Sequence, residues 1–294
     1  MSTTGTAASL FHLVIAARER LTRAGIRPDH AAIDAEVLAR AAAGWDRASY
    51  LARREEPADA AVATRLESYI RRREAREPVA YILGTREFWG LDFLVTPAVL
   101  IPRPETEFLV EAALARLADR ARAWRIADVG TGSGCLAVAL AVELPYARVT
   151  ATDISPDALA VARVNAERHD VGHRIDLVRT SLLDAVVGPF DLVVANPPYV
   201  PRAHRPALSP DVRDHEPDAA LYGGGDDGLD EIRALVAEAP SRLTPNGWLQ
   251  MEFGFGQGDD VRAAAACASD LDVVEILRDL QGLERTLVAR RRTR

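Results

Sequence analysis

Apolar residues repeat with helical spacing over the first part of the chain. They recur every three or four positions within residues 9–24, 29–43 and 57–76, which predicts three amphipathic helices. A serine stands where the first helix begins and a glycine where it ends, as helix caps require. In the second helix Ile33 is expected to face inward. Residues 1–78 are therefore predicted to form a small helical domain.

The pattern changes to short alternating stretches between residues 79 and 104. Apolar and polar positions alternate on both sides of Gly90, which predicts two strands joined by a glycine turn. Two prolines in Pro102–Glu107 then hold the chain extended, and its acidic residues fall in the first turn of a helix predicted over residues 105–119. We interpret residues 79–104 as a β-hairpin linker that forms one wall of a cleft. Because residues 1–78 stand just before this cleft, we expect the helical domain to recognise the substrate.

From residue 125 onward, apolar strands alternate with amphipathic helices. This alternation is typical of an α/β domain, here residues 105–294, with helices on both faces of a mostly parallel sheet. No helical stretch separates the last two strands, which predicts a reversed strand at the edge of the sheet. The strands are predicted at 125–129, 148–153, 174–179, 190–195, 247–253, 272–278 and 284–290.

Composition excludes several classes of protein. With 48% hydrophobic and 27% charged residues, the chain has the composition of a globular protein with a core. No apolar run reaches the ~18 residues of a membrane span, and the N-terminus lacks the pattern of a signal peptide. Cys135 and Cys267 are too few for a disulfide framework and lack metal-ligand spacing, so no metal is expected. These features predict a cytoplasmic protein.

Charge is distributed unevenly along the chain. The formal net charge is −7, and the excess of acidic residues lies in the α/β part, whereas residues 1–85 are mildly basic. Affinity for a long phosphate backbone comes largely from Lys and Arg. An acidic catalytic half is therefore a poor match to a nucleic-acid target, although the basic front part could contact RNA or an acidic partner.

Three glycines and one carboxylate follow the first two strands of the α/β part. Gly130, Gly132 and Gly134 lie between a strand and a helix, where they permit a tight turn and close approach of a ligand. Asp153 ends the next strand, near the offset at which a carboxylate meets ribose hydroxyls in nucleotide-binding sheets. The glycine spacing differs from that of dinucleotide-binding loops. This combination suggests S-adenosylmethionine as the cofactor.

The buried strand 190–195 runs into the sequence Asn196-Pro197-Pro198-Tyr199. Two prolines cannot extend the strand and leave a stiff turn at its carboxyl end, where open α/β sheets bind ligands. The Asn196 oxygen and the Pro197 carbonyl can each accept one N–H, and the Tyr199 ring can pack on a plane. The turn therefore suits a planar –NH2 group.

These motifs resemble a known family of enzymes. The glycine loop, Asp153 and the Asn-Pro-Pro-Tyr turn are similar to class I S-adenosylmethionine-dependent methyltransferases that act on planar nitrogens. The stretches Pro102–Glu107, Glu216-Pro217 and Glu252-Phe253-Gly254 resemble the HemK/PrmC family, which methylates the glutamine of the Gly-Gly-Gln motif in peptide-chain release factors. The resemblance implies a Rossmann-like seven-stranded sheet, a helical N-terminal domain and a release factor as protein partner.

The resemblance also implies roles for individual residues. It implies that the Asn-Pro-Pro-Tyr turn binds the glutamine amide. The catalytic residues that it implies in this turn are Asn196, Pro197 and Tyr199. The cofactor is implied to contact Gly130, Thr131, Gly132, Ser133, Gly134, Asp153, Leu182 and Asn196. The substrate glutamine is implied to contact Asn196, Pro197, Pro198, Tyr199, Arg103 and Glu105.

Two neighbouring residues depart from the family pattern. Members of the family often have an acid followed by a tryptophan where this chain has Ser181 and Leu182, so the acidic contact to adenine is absent while packing on Leu182 remains.

Three alternatives to this function remain. The Asn-Pro-Pro-Tyr turn would also suit a ribosomal-protein glutamine or an exocyclic amino group in nucleic acid. A non-enzymatic binding module is the third alternative, which the intact glycine loop and turn argue against.

Overall fold

The computed structural model describes residues 8–293, which divide into two compact units. The first unit contains the chain up to Gly84 together with the short segment Pro210–His215. The second contains Thr85–Ser209 and the chain from Glu216 onward. Over the described residues, no helix combines the length and the apolar character that a membrane span needs.

Five helices form most of the first unit. The Ser9 hydroxyl accepts from the His12 N–H and caps the first helix, as the sequence predicts, and Gly44 ends the second in a left-handed conformation. The short third helix was not predicted, and the fifth occupies the start of the predicted hairpin linker. The helices are α1 Leu10–Arg23, α2 Pro28–Ala43, α3 Arg47–Arg53, α4 Ala60–Glu74 and α5 Val79–Leu83.

The core of the first unit corrects one sequence prediction. Leu21, Leu38 and Ile70 are buried at its centre, but Ile33 is 62% exposed. The buried stripe of α2 consists mainly of alanines spaced by three or four residues, Ala31 among them. These small side chains let the helices approach closely, and Ile33 lies outside that stripe.

The predicted hairpin follows directly in the second unit. Strands β1 Thr85–Phe88 and β2 Leu91–Leu94 pair antiparallel, and Trp89 and Gly90 make the turn with positive φ. Phe88 and Phe93 are buried and meet edge to face at 6.1 Å. The hairpin is thus anchored in the hydrophobic core of the second unit.

A seven-stranded sheet forms the centre of the second unit. Its order is β5-β4-β3-β6-β7-β9-β8, and all neighbours are parallel except those of β9. The reversed strand was predicted at the edge, but it lies between β7 and β8, so it gains main-chain partners on both sides. The strands are β3 Arg125–Val129, β4 Arg148–Asp153, β5 Ile175–Arg179, β6 Phe190–Ala195, β7 Leu243–Glu252, β8 Leu271–Arg278 and β9 Glu284–Arg291.

Helices cover both faces of this sheet, as the alternation predicts. The first begins later than predicted, because Pro104–Thr106 forms a 3-10 turn before it. The loop after β6 contains two short helices that were not predicted. The helices of the second unit are α6 Glu107–Arg116, α7 Cys135–Glu143, α8 Pro156–Arg168, α10 Asp218–Leu221, α11 Asp230–Arg242 and α12 Gly258–Cys267; α9 Pro210–Arg213 belongs to the first unit.

Strand β6 is buried along its whole length and separates two hydrophobic clusters. Leu192 and Val194 pack with α7 and the hairpin on one face, whereas Val193 and Ala195 pack with α11 and α12 on the other. Side chains of a strand alternate between faces, so a strand that is buried at every position requires cover on both faces of the sheet. The residues that follow β6 are therefore held on a rigid strand.

Candidate active site

The carboxyl ends of three adjacent strands bring the candidate residues together. Val129 of β3 pairs with Thr152 of β4 and with Ala195 of β6, so the three strands end at the same level. A cavity of about 390 Å³ opens at this edge within the second unit. Its wall includes residues of the glycine loop, the ends of β4 and β5, the Asn-Pro-Pro turn and the Pro102-Arg103 segment.

The glycines of the loop after β3 have different surroundings. Gly130 and Gly132 have positive φ, and a Cβ on Gly130 would meet no atom within 4 Å, so this backbone faces open space. A Cβ on Gly134 would instead lie 3.1 Å from the Cβ of Ala162, because here the loop packs against α8. The first two glycines thus leave room for a ligand, and the third allows close packing of the helix.

Asp153 holds the glycine loop against the end of β4. Its Oδ2 accepts from the Gly132 N–H at 2.9 Å, and its Oδ1 accepts from the Ser155 N–H at the same distance. Each carboxylate oxygen can accept more than one hydrogen bond. Asp153 is half-buried in the cavity wall and retains acceptor capacity toward a ligand.

Asp128, at the end of β3, lies completely beneath the loop. Its Oδ2 accepts from the Thr131 hydroxyl at 2.6 Å and from the Ala137 N–H at 3.1 Å, while its Oδ1 has no partner in the described structure. Burial raises the pKa of this carboxyl to about 7, against the effect of its two donors. Asp128 therefore fixes the shape of the loop at an electrostatic cost.

Asn165 connects three elements beneath the same loop. The side chain is fully buried on α8, and its amide donates to the carbonyls of Leu94 and Ser133 at 3.0 and 2.8 Å. Its oxygen accepts from the Leu94 N–H at 2.7 Å. The hairpin, α8 and the glycine loop are thereby held in one arrangement.

The turn after β6 presents two acceptors to the cavity. Asn196 and Pro197 both line it, and the Asn196 amide nitrogen donates to the Thr106 hydroxyl at 3.0 Å. Considering residues 8–293, neither the Asn196 Oδ1 nor the Pro197 carbonyl accepts a hydrogen bond. Two neighbouring oxygens are thus free to receive the two N–H groups of a planar –NH2.

The backbone of this turn is enclosed by later parts of the chain. The Gln257 side chain donates to the Tyr199 carbonyl at 2.9 Å and accepts from the Gly254 N–H at 2.8 Å. A Cβ on Gly223 would lie 2.4 Å from the Pro198 carbonyl, so only glycine fits there. The turn is therefore fixed in position by packing and by hydrogen bonds.

A buried carboxylate lies behind the turn. Glu252, at the end of β7, is 2% exposed; its Oε2 accepts from the Thr106 hydroxyl at 2.7 Å and its Oε1 from the Tyr199 hydroxyl at 3.2 Å. Burial raises the pKa of Glu252, and burial together with the neighbouring Glu252 raises the pKa of Tyr199. The Tyr199 hydroxyl therefore remains protonated and available as a donor.

The structure places most of the predicted site residues in the wall of the cavity. Thr131, Ser133, Leu182, Pro198 and Arg103 also belong to the cavity wall. The Arg103 guanidinium pairs at 2.6 Å with the buried Glu216 carboxylate, which also accepts from the Ile101 N–H. The predicted residues outside the wall are Gly134, Glu105 and Tyr199.

Four buried or half-buried residues near the site were not assigned a role from sequence. Asn165 lies mid-helix without a motif, and its contacts are 32 and 71 residues away in sequence. Thr106 and Glu252 stand in stretches that the family resemblance already indicates, and Gln257 follows the second of these stretches closely. Their position beside a predicted site motif was the available signal.

Known proteins resemble both parts of the chain. Residues 12–84 match the family model described as PrmC N-terminal domain, and residues 105–208 match that of the methyltransferase small domain. A curated relative from Geobacter sulfurreducens, named release factor glutamine methyltransferase, is 47% identical over 79% of this chain and 80% of its own. A relative of the same name from Moorella thermoacetica is 45% identical over 93% of this chain and 95% of its own.

A solved structure supports the fold independently of close sequence similarity. The crystal structure of a methyltransferase from Pyrococcus furiosus is similar with a TM-score of 0.51 and 18% identity, over 77% of this chain and 98% of its own. The predicted Rossmann-like methyltransferase fold and the predicted family are therefore both confirmed. By its identity to curated relatives over most of its length, this chain belongs to the release factor glutamine methyltransferase family.

Proposed function

We propose that this chain transfers the methyl group of S-adenosylmethionine to the side-chain amide nitrogen of the glutamine in the Gly-Gly-Gln motif of release factors. The observation that carries the proposal is the pair of free acceptors, Asn196 Oδ1 and Pro197 O, at the wall of the cavity. An amide –NH2 offers two donors, which matches that pair. The names of the relatives supply the protein in which the glutamine stands.

The cavity fits the proposed cofactor. The open space over Gly130 and Gly132 would be filled by any side chain, and the Asp153 carboxylate suits ribose hydroxyls. Leu182 and Ile154 provide apolar surface for a base. When bound, S-adenosylmethionine supplies an electrophilic methyl group on a positively charged sulfur.

The residues of the turn would contribute orientation. An amide nitrogen is a weak nucleophile because its lone pair is delocalised into the carbonyl. Acceptance of its two N–H groups by Asn196 and Pro197 fixes the amide plane, so that the lone pair can point toward the methyl group. Tyr199 stands beside them with its hydroxyl held by Glu252. The transfer would leave S-adenosylhomocysteine and release one of the two N–H protons of the amide. Orientation of this kind contributes to the rate of the methyl-transfer step.

The test is methylation of purified release factor by the purified protein with S-adenosylmethionine. We expect the mass of one methyl group on the peptide that contains the Gly-Gly-Gln glutamine, and none when that glutamine is replaced by alanine. Ribosomal proteins, RNA and DNA serve as competing substrates in parallel reactions. Methylation of one of these in place of the release factor would overturn the proposed substrate, and NAD binding in place of S-adenosylmethionine would overturn the cofactor.

A further inference from the structure

A buried chain of hydrogen bonds leads from Glu252 to the proposed glutamine clamp. The Thr106 hydroxyl donates to Glu252 Oε2 at 2.7 Å, and the Asn196 amide nitrogen donates to the same hydroxyl at 3.0 Å. Thr106 and Glu252 are each 2% exposed, so solvent does not compete for these bonds. Thr106 stands at the end of the 3-10 turn before α6, away from the motif it contacts.

The direction of the two hydrogen bonds that link Asn196, Thr106 and Glu252 determines which way the Asn196 amide faces. A hydroxyl has one proton, and in the structure the Thr106 hydroxyl donates it to Glu252 Oε2. The hydroxyl can then only accept from Asn196, so the –NH2 end of the amide faces Thr106. The Oδ1 end is left on the opposite side, as the proposed clamp requires.

An amide that lacked this partner could rotate by 180°. Its nitrogen and oxygen have nearly the same shape, so packing alone distinguishes them poorly. The rotated form would present a donor to the N–H groups of the substrate, and two donors repel. We propose that Thr106, held by Glu252, is a positioning residue that keeps the Asn196 oxygen directed at the substrate amide; this inference rests on the function proposed above.

The same carboxylate holds a second residue of the turn. Glu252 Oε1 accepts from the Tyr199 hydroxyl, so one buried group fixes residues at both ends of the Asn-Pro-Pro-Tyr motif. Keeping a carboxylate at 2% exposure is costly unless donors surround it.

The experiment compares Thr106→Val with Thr106→Ser in single-turnover methylation of release factor, at saturating S-adenosylmethionine. Valine keeps the shape and removes the hydroxyl, so we expect the rate to fall ~10- to 100-fold. The KM for release factor and the Kd of the cofactor should change less than about threefold, because an unaligned group still binds. Serine restores the hydroxyl and should recover most of the rate.

A double-mutant cycle separates positioning from a general structural role. In an Asn196→Ala background, Thr106→Val should lower the rate little further, because the group that it positions is gone. An equal loss in both backgrounds, or a wild-type rate for Thr106→Val, would overturn the inference. If the valine variant does not fold, Thr106→Ala takes its place in the same measurements. Failure of the wild-type protein to methylate release factor would instead overturn the proposed function.

Discussion

Asn196 presents the side-chain oxygen on which the proposed orientation mechanism depends. We expect Asn196→Ala to lower kcat by ~100-fold or more, since misplacement of a reacting group by about an ångström has an effect of that size. Asn196→Asp should also be slow, because an aspartate offers no N–H to Thr106 and places two carboxylates around one hydroxyl. Single-turnover rates and cofactor affinity measured by calorimetry provide the comparison. A raised KM at unchanged kcat would identify Asn196 as a uniform binding contact.

Asp128 makes stability depend on pH in a direction opposite to most carboxylates. Burial raises its pKa from an ordinary value of 3.8 to about 7, so the folded state binds the proton more tightly than the unfolded chain does. Its contribution is therefore most favourable below the unfolded pKa and is lost as the pH rises through about 7. We expect Asp128→Asn, which carries no charge, to gain stability relative to wild type by about 1–4 kcal/mol between pH 4 and pH 8.

The measurement for Asp128 is denaturant unfolding at a series of pH values. Asp226→Asn is the matched control, because it makes the same replacement at an exposed position. The prediction concerns the slope of the free energy of unfolding against pH. The asparagine also changes one buried hydrogen-bonding group, which shifts that free energy by the same amount at every pH. Parallel pH profiles for Asp128→Asn and wild type would contradict it.

At the scale of elements, Asn165 is the side chain that joins α8, the β1–β2 hairpin and the glycine loop. Asn165→Ala removes three hydrogen bonds and leaves buried backbone groups without partners, so we expect a loss of roughly 2–4 kcal/mol in the free energy of unfolding. Cofactor binding should weaken as well, because the Ser133 carbonyl is no longer held. Arg168→Ala is the control, since the exposed Arg168 contacts the same hairpin from the same helix. Equal effects of the two substitutions would contradict the argument.

The alternation of elements was predictable because its signal is local. A strand such as β6 is apolar at every position except Asp191, and two prolines just beyond its end prevent its extension, so both its extent and the position of Asn196 at its end follow from the sequence. Three adjacent parallel strands then bring Gly130, Asp153 and Asn196 to one edge by geometry alone. The position of the glycine loop beside the Asn-Pro-Pro-Tyr turn could therefore be predicted without a structure.

The remaining features depend on contacts between distant residues. Strand β9 lies between β7 and β8, and β8 takes the edge position. The apolar periodicity of the two strands does not show which of them lies at the edge of the sheet. The short helix Arg47–Arg53 is stabilised by its Asp46 cap and by packing of Tyr50, and it is too short for a periodic pattern. Thr106 and Glu252 meet across 146 residues, so their bond becomes visible only once the fold is formed.

At the scale of the whole molecule, the first unit is built from two separate pieces of chain. Within that unit, Asp211 of the Pro210–His215 segment accepts from Arg73 at 2.9 Å and from Arg76 at 2.7 Å. Arg73 is 4% exposed and also pairs with Asp34 at 2.8 Å. Burial raises the pKa of Asp211, but the bonds from the two arginines outweigh it and lower the pKa below its ordinary value. Asp211 thus supplies part of the counter-charge of a buried arginine.

We expect Asp211→Ala to destabilise the first unit by about 2–3 kcal/mol, less than the 3–5 kcal/mol of a fully broken buried pair, because Asp34 remains. Hydrogen exchange of the α2 and α4 amides reports the stability of this unit separately from the other. Asp214→Ala is the matched control in the same segment, where the carboxylate is exposed and pairs with its neighbour Arg213. Unchanged exchange in Asp211→Ala would show that Asp34 alone suffices for Arg73.

Because the first unit consists of two separate pieces of chain, the ribosome synthesises its two pieces at different times. Helices α1 to α5 of this unit are complete when residue 84 has been synthesised, but Asp211 follows 127 residues later, at roughly 6–25 s for typical elongation rates. During that interval Arg73 has only Asp34 as a carboxylate partner in this unit. Nascent helices of this protein should therefore remain less stable than in the finished chain until most of the methyltransferase sheet strands, β3 to β6, have also emerged.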